Sequence, residues 1–353
     1  MLGWRGFVMV AVGGFWGAVA FLAVFVLLMN PYGNLPHILF SEHAITDINQ
    51  RFQYPALVRS GRYDSIVIGA SDSRLLHPKA LERVFGGHFA NLAMNAGQAY
   101  EQYRLADLFI RQVKQTRTLL IGLDHVWCKE DALEQRTTFR GFPEWMYDDN
   151  QWNDLVYMLN AKSIEISGRR LGVALGLKSP RFPAGYEVFT PPESAYDPIK
   201  VRHKLWGEEG PRTFEAAAAD NRAHTRSDWM FPALGWLDEI LGRVHGRKVL
   251  AFMPSHVAAQ PIPGSGKAAR ADACKMRIAE IAARHGASFI DFNIRSAITT
   301  DDDNYWDRLH YRLPIADRIV RGIQQALATG KDDPNGDWHY LAGPEMVEIS
   351  STR

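Results

Sequence analysis

The stretch Asp64-Ser65-Ile66-Val67-Ile68-Gly69-Ala70-Ser71-Asp72-Ser73-Arg74 decides the fold class. Residues 64–69 form a short apolar run, the pattern of a strand buried on both faces. The run then breaks into Ala, Ser and Asp, residue types that favour a turn and a helix start. A helical pattern follows over residues 78–85, opened by Pro78. The alternation repeats, with strands expected at 88–92 and 118–123 and a helix at 100–113 between them. It resumes with strands at 248–253 and 288–292 and helices at 269–285 and 313–329, the last with Pro314 in its tolerant first turn. Short apolar strands alternating with amphipathic helices predict an α/β fold. The expected form is a flavodoxin-like three-layer α/β/α sandwich with a five-stranded parallel sheet.

Working outward, the core domain takes residues 62–128 and 246–330, interrupted by an insertion at 129–245. A structureless loop of that length is implausible in a compact domain, so a mostly helical cap is expected there, with a separate binding domain as the alternative. Helical stretches at 152–177 and 229–243, the second kinked at Pro232, flank a proline-rich segment containing Pro180, Pro183, Pro191 and Pro192. Residues 31–61 read as a stalk with a short helix near 45–51. The tail, 331–353, shows no periodicity and is expected to lie extended or disordered.

The chain has 353 residues, 46% hydrophobic and 22% charged, with 40 Lys+Arg against 39 Asp+Glu. That balance excludes wholesale disorder, and it argues against a nucleic-acid binder, which needs a basic face. Residues 6–29 carry no charge. As a helix they would extend about 36 Å, enough to cross the ~30 Å hydrocarbon core of a bilayer. The run ends Leu27-Leu28-Met29-Asn30-Pro31 without the small residues of a cleavage site, so residues 1–30 are read as an uncleaved membrane anchor. Arg5 precedes the span and the first later charge is Glu42, which puts the amino terminus in the cytoplasm and, in a bacterium, the body in the periplasm. Such a compartment permits a bridge between Cys128 and Cys274, but spacing alone favours two separate thiols. Neither cysteine belongs to a metal-like cluster, so no metal and no other cofactor are expected.

Ser71 closes the first strand, where open parallel sheets place their ligands. Alone it reads as a helix cap. Near the other end of the chain stands Asp307-Arg308-Leu309-His310, a spacing that lets a carboxylate orient an imidazole. His125 and His256 follow strands and would edge the cleft or serve as structural histidines. The aromatic residues Phe142, Trp145, Tyr147, Trp152 and Tyr157 would form either a sugar-stacking wall or core.

With these blocks in this order, residues 64–123 and 248–329 resemble the SGNH (GDSL-like) serine hydrolase and acyltransferase superfamily, in particular its membrane-tethered envelope branches. The resemblance implies Ser71, rather than Ser73, as nucleophile, His310 as base and Asp307 as its orienter. The second block maps onto Asn95-Ala96-Gly97, so the oxyanion donors implied are the amides of Ser71 and Gly97, although Tyr100 stands where a later glycine is common. The third block should supply Gly-x-Asn and here reads Gly122-Leu123-Asp124. Ionised, Asp124 would repel the oxyanion that an Asn stabilises; protonated by burial, it would not. Arg74 and Asn95 are expected to bind substrate, with an exposed helical arginine as the alternative for Arg74. The implied substrate is an acyl ester, acetyl first, of a cell-envelope carbohydrate, with a membrane acyltransferase as a possible partner. The alternative is a non-catalytic envelope binding or scaffolding protein that keeps the fold.

Overall fold

Every short apolar run of the core domain forms a strand. The structure, a computed structural model, describes residues 3–33, 35, 49–179, 181–208, 210–211 and 228–344. The chain opens with α1 (Trp4–Met29), a helix long and apolar enough to span a membrane, whose flank is exposed over most of its length. After α2 (Gln50–Arg59) come β1 (Ser65–Gly69), α3 (Pro78–Phe85), β2 (Phe89–Asn91), α4 (Ala99–Gln112) and β3 (Thr118–Leu123). The insertion contributes α5 (Asp154–Met158), α6 (Ala161–Ala174), α7 (Pro198–Trp206) and α8 (Ala233–Arg243). Then follow β4 (Arg247–Phe252), α9 (Gly266–Arg284), β5 (Ser288–Asp291), α10 (Leu313–Thr329) and β6 (His339–Ala342).

The sheet has six strands in the order β2-β1-β3-β4-β5-β6, the first five parallel and β6 antiparallel to β5. This corrects the expectation of five strands, and of an extended or disordered tail, over residues 332–344. Residues 345–353 lie outside the described residues. The edge strand escapes a periodicity search because it is half exposed and carries no apolar run. Three aspartates pin it instead. Asp332 Oδ1 accepts from the Tyr340 amide at 2.7 Å, Asp333 Oδ2 accepts from the Asp337 amide at 3.0 Å, and Asp337 pairs with Arg318 of α10 at 2.6 Å.

Side chains alternate across a strand, so each face of the sheet feeds its own core. Ile66, Ile68, Leu119, Ile121 and Leu250 pack with α4, α8 and α9; Val67, Leu120, Val249 and Ala251 pack with α3 and α10. Although it lies in the insertion, α8 therefore belongs to a sandwich layer. Pro232 sits at its N-cap and starts the helix rather than kinking it. The stretch expected as one helix over 152–177 is two, broken by Leu159 and by Asn160, whose side chain caps α6 through the Ser163 amide.

No free stalk covers residues 50–59. Of the helix expected near 45–51, residues 45–48 lie outside the described residues, and α2 begins only at Gln50, capped by Asn49. The helix is buried against the body, with Arg51 forming a fully buried ion pair to Glu101 of α4 at 2.6 Å. The end of α1 is also packed down. Arg170 Nη1 of α6 donates to the Asn30 carbonyl at 2.7 Å, and the hydroxyls of Tyr32 and Ser163 share a hydrogen bond of 3.1 Å. Contrary to the reading of two separate thiols, Cys128 and Cys274 form a disulfide, their Cα atoms 5.8 Å apart. It ties the turn after β3 to α9.

Candidate active site

β1 ends at Gly69, and a 3₁₀ turn, Ser71–Leu75, lifts Ser71 to the carboxyl edge of the sheet. Asn91, at the end of β2, holds that turn by donating through Nδ2 to the carbonyls of Ser73 at 2.9 Å and Leu76 at 2.8 Å. Ser73 is buried beneath it. A Cβ on Gly69 or on Gly122 would overlap the Ser73 side chain, so both glycines make room for it and it has no path to a substrate. The loop between β5 and α10 closes through the pairing of Tyr305 with Tyr311, and the Tyr311 hydroxyl donates to the Asp72 carbonyl. That bond joins the first and last blocks of the sequence.

Ser71 Oγ lies 2.8 Å from His310 Nε2, and His310 Nδ1 lies 2.8 Å from Asp307 Oδ2. An ionised carboxylate only accepts, so Nδ1 carries the imidazole proton and Nε2 accepts from the Ser71 hydroxyl. Asp307 is held by its own turn, Oδ1 accepting from the amides of Leu309 at 2.9 Å and His310 at 3.0 Å. Burial raises its pKa, but the His310 hydrogen bond, the His310 charge and these amides outweigh burial and bring it below the usual carboxylate range. Behind the loop His256 is buried between Trp206 and Tyr305, its amide donating to the Arg308 carbonyl at 2.9 Å. It is a structural histidine. His125 is exposed and lines a neighbouring cavity.

The second block takes a different role from the one expected. The Gly97 amide donates to the Met94 carbonyl at 3.1 Å, which commits it to a turn and removes it as an oxyanion donor in this conformation. Arg74 is buried, and its guanidinium is spent on Asn95 Oδ1 and on Glu187 of the insertion, each at 2.6 Å. Arg74 is closed to a substrate, whereas Asn95 is half-buried; together they brace the loop, as does Arg51 Nη2 by donating to the Asn95 carbonyl at 3.1 Å. The Ser71 amide opens its 3₁₀ turn, where the first amides have no partner within the helix.

Asp124 is buried at the end of β3, where Oδ1 caps the next turn by accepting from the Val126 amide at 3.0 Å. Burial raises its pKa, against the pull of His125, that amide and Lys129. Asp72 is raised well above the carboxylate range, by burial and then by the charge of Asp124. Burial thus makes ionisation of each carboxyl harder than it is in water, and the two resist being charged together. Both line a cavity of about 1080 Å³ that takes in Leu309 and runs along the face of α9; Ser71, His310 and Asp307 are not among its lining residues.

The chain matches no protein-family model, no curated protein and no solved structure. The site is therefore read from its geometry. Two contributors, Glu187 and Phe189, were invisible in the sequence. Phe189 sets its ring edge-on to the His310 imidazole, 5.3 Å between centroids, while the Arg74 guanidinium lies 4.6 Å over the same ring. The insertion thus packs directly against the Ser71–His310–Asp307 row. By contrast, none of the five aromatic residues considered for a sugar wall lines the cavity among the described residues. Phe142 stacks on Tyr147 within the core, Trp145 stacks on the exposed Tyr157, and Trp152 is exposed. No cluster of metal-ligating side chains occurs among the described residues.

Proposed function

We propose that the protein is a membrane-anchored serine esterase or O-acyltransferase of SGNH type, acting on acyl esters, acetyl first, of cell-envelope carbohydrate. The observation that carries this reading is the hydrogen-bonded row from Ser71 through His310 to Asp307 at the carboxyl edge of a parallel sheet. The parallel strands run β2-β1-β3-β4-β5, which supports a flavodoxin-like layout, and its switch point falls between β1 and β3, the strands that end at Ser71 and Asp124. The disulfide supports an oxidising compartment, hence a body outside the cytoplasm with the amino terminus inside.

In this mechanism Ser71 Oγ attacks the ester carbonyl carbon while His310 Nε2 takes its proton. The oxyanion faces the Ser71 amide, and Asp307 stabilises the imidazolium. Collapse breaks the ester C–O bond, and the departing alkoxide takes the proton from His310. Water or a carbohydrate hydroxyl then attacks the acyl-Ser71 ester, His310 accepting the proton and returning it to Ser71. Water gives hydrolysis; a hydroxyl gives transfer, with a membrane acyltransferase as the partner that supplies acyl groups. The alternative, a non-catalytic binding or scaffolding protein, is favoured by Asp124 in place of an amide donor and by the committed Gly97 amide.

The test is labelling of the full-length protein by a fluorophosphonate probe. Adduct at Ser71, abolished in Ser71→Ala and slowed about 10⁴-fold in Asp307→Asn, supports catalysis. A folded wild type that takes no label turns the reading to the non-catalytic alternative.

A further inference from the structure

α6 runs back along the anchor toward the span. Its first turn meets α1 beyond the end of that helix, where Ser163 bonds Tyr32, and seven residues later Arg170 reaches Asn30. Val26, one turn inside α1, is buried in the same cluster as Ile166. The remaining residues of α6 therefore lie beside the last turns of α1, at the depth where a spanning helix leaves the hydrocarbon.

α6 ends there in a turn built around Gly176, whose φ is 71°. The Leu177 amide donates to the Gly172 carbonyl at 2.8 Å and the Gly176 amide to that of Val173 at 3.0 Å. In such a helix end the apolar residue after the glycine usually packs on the side chain three positions before the cap. That partner here is Gly172, which has none, so Leu177 is left 76% exposed, beside Leu175 at 63%. Next to these leucines, Arg169, Lys178, Ser179 and Arg181 line a small cavity of about 310 Å³ with Val173. Residues 161–181 hold Lys162, Arg169, Arg170, Lys178 and Arg181 against one carboxylate, Glu165. Exposed Val156, Tyr157 and Leu159 precede α6.

Apolar side chains flanked by long cationic ones, next to the end of a span, form a surface matched to the bilayer interface. The leucines enter the acyl boundary while the cations reach the headgroups. We infer that the carboxyl end of α6 docks on the leaflet next to the body, with the cavity of Arg169, Lys178, Ser179 and Arg181 taking the phosphate of an anionic phospholipid. This rests on the reading of α1 as a membrane span. Phosphate suits the site because the cations surround it and the Ser179 hydroxyl adds a neutral donor.

The test uses full-length protein in nanodiscs of phosphatidylcholine with and without phosphatidylglycerol. Nitroxide labels are attached at Leu177→Cys, at Phe15→Cys within α1, and at Lys331→Cys after α10, the native cysteines being paired. Collision with oxygen and with a water-soluble nickel chelate reads their depth. The expected result is Phe15 in hydrocarbon, Leu177 at the interface and Lys331 in water. An aqueous Phe15 label would refute the spanning helix itself; a lipid-buried Phe15 with an aqueous Leu177 would refute only the docking. For the phosphate, spin-labelled phosphatidylglycerol should associate more tightly than phosphatidylcholine. The double change Lys178→Gln and Arg181→Gln should reduce that preference about 30-fold, equivalent to ~2 kcal/mol at about 1 kcal/mol per cation. A preference unmoved by the double change, or abolished equally by inorganic phosphate in wild type and variant, overturns the lipid site.

Discussion

The bridge between Cys128 and Cys274 closes a loop of 146 residues that contains the whole insertion, α8 and β4. Removing it with Cys128→Ala and Cys274→Ala restores that loop's freedom to the unfolded chain. The chain-entropy relation gives a loss of about 5 kcal/mol for a closure this long, near the upper end of what single disulfides contribute. At roughly 2 °C per kcal/mol for a chain of this size, the melting temperature should fall by about 10 °C. Tryptophan fluorescence of the full-length protein in detergent reads the transition, and thiol titration before and after reduction reports the bond. Cys274 is buried, so reduction of the native protein should be slow and unfolding should accelerate it. Two free thiols in the unreduced native protein would refute the pairing. A melting temperature within ~2 °C of wild type in the double variant would refute the loop-closure argument.

Two further substitutions test the site. Asp124→Asn keeps an oxygen for the Val126 amide and replaces a carboxyl with an amide donor, so ester turnover should rise, by up to ~100-fold if the new donor meets the oxyanion. Because the native pKa of Asp124 is raised, its ionisation costs stability as pH climbs above the unfolded value. The variant should therefore melt higher than wild type at neutral pH and converge with it in acid; a lower melting temperature at neutral pH would contradict this. Arg74→Met removes a buried guanidinium whose partner Glu187 stays partly in water, and should cost about 1–2 kcal/mol of stability, with KM for a neutral ester unchanged. Unchanged stability with a raised KM would instead return Arg74 to substrate binding.

The strands of the core domain were legible because burial on both faces writes a continuous apolar run, as in Ile66-Val67-Ile68 and Leu119-Leu120-Ile121. The row of Ser71, Asp307 and His310 was legible because strand ends in an open parallel sheet converge on one edge. β6 was not, since an edge strand pinned by aspartates has no such run. Gly97 was misread because sequence shows the residue type but not where its amide points. Glu187 and Phe189 carry no local signature at all. Their importance comes from a long-range contact, the insertion folding back on Arg74 and His310. The disulfide was hidden in the same way, its partners far apart along the chain.

That return path sets a ruler. Between Arg181, at the rim of the basic cavity, and Phe189, against the His310 imidazole, the chain has eight residue steps, at most about 28 Å when fully drawn out. If Arg181 is held at lipid headgroups as proposed, His310 lies within roughly that height of the membrane surface, close to the thickness of the hydrocarbon core itself. A polymer strand further out is beyond reach unless it bends inward. Under the proposed function, the ester that fits this geometry is one borne on a lipid-linked chain or on the membrane-proximal end of a glycan, delivered sideways along the leaflet rather than from bulk solvent.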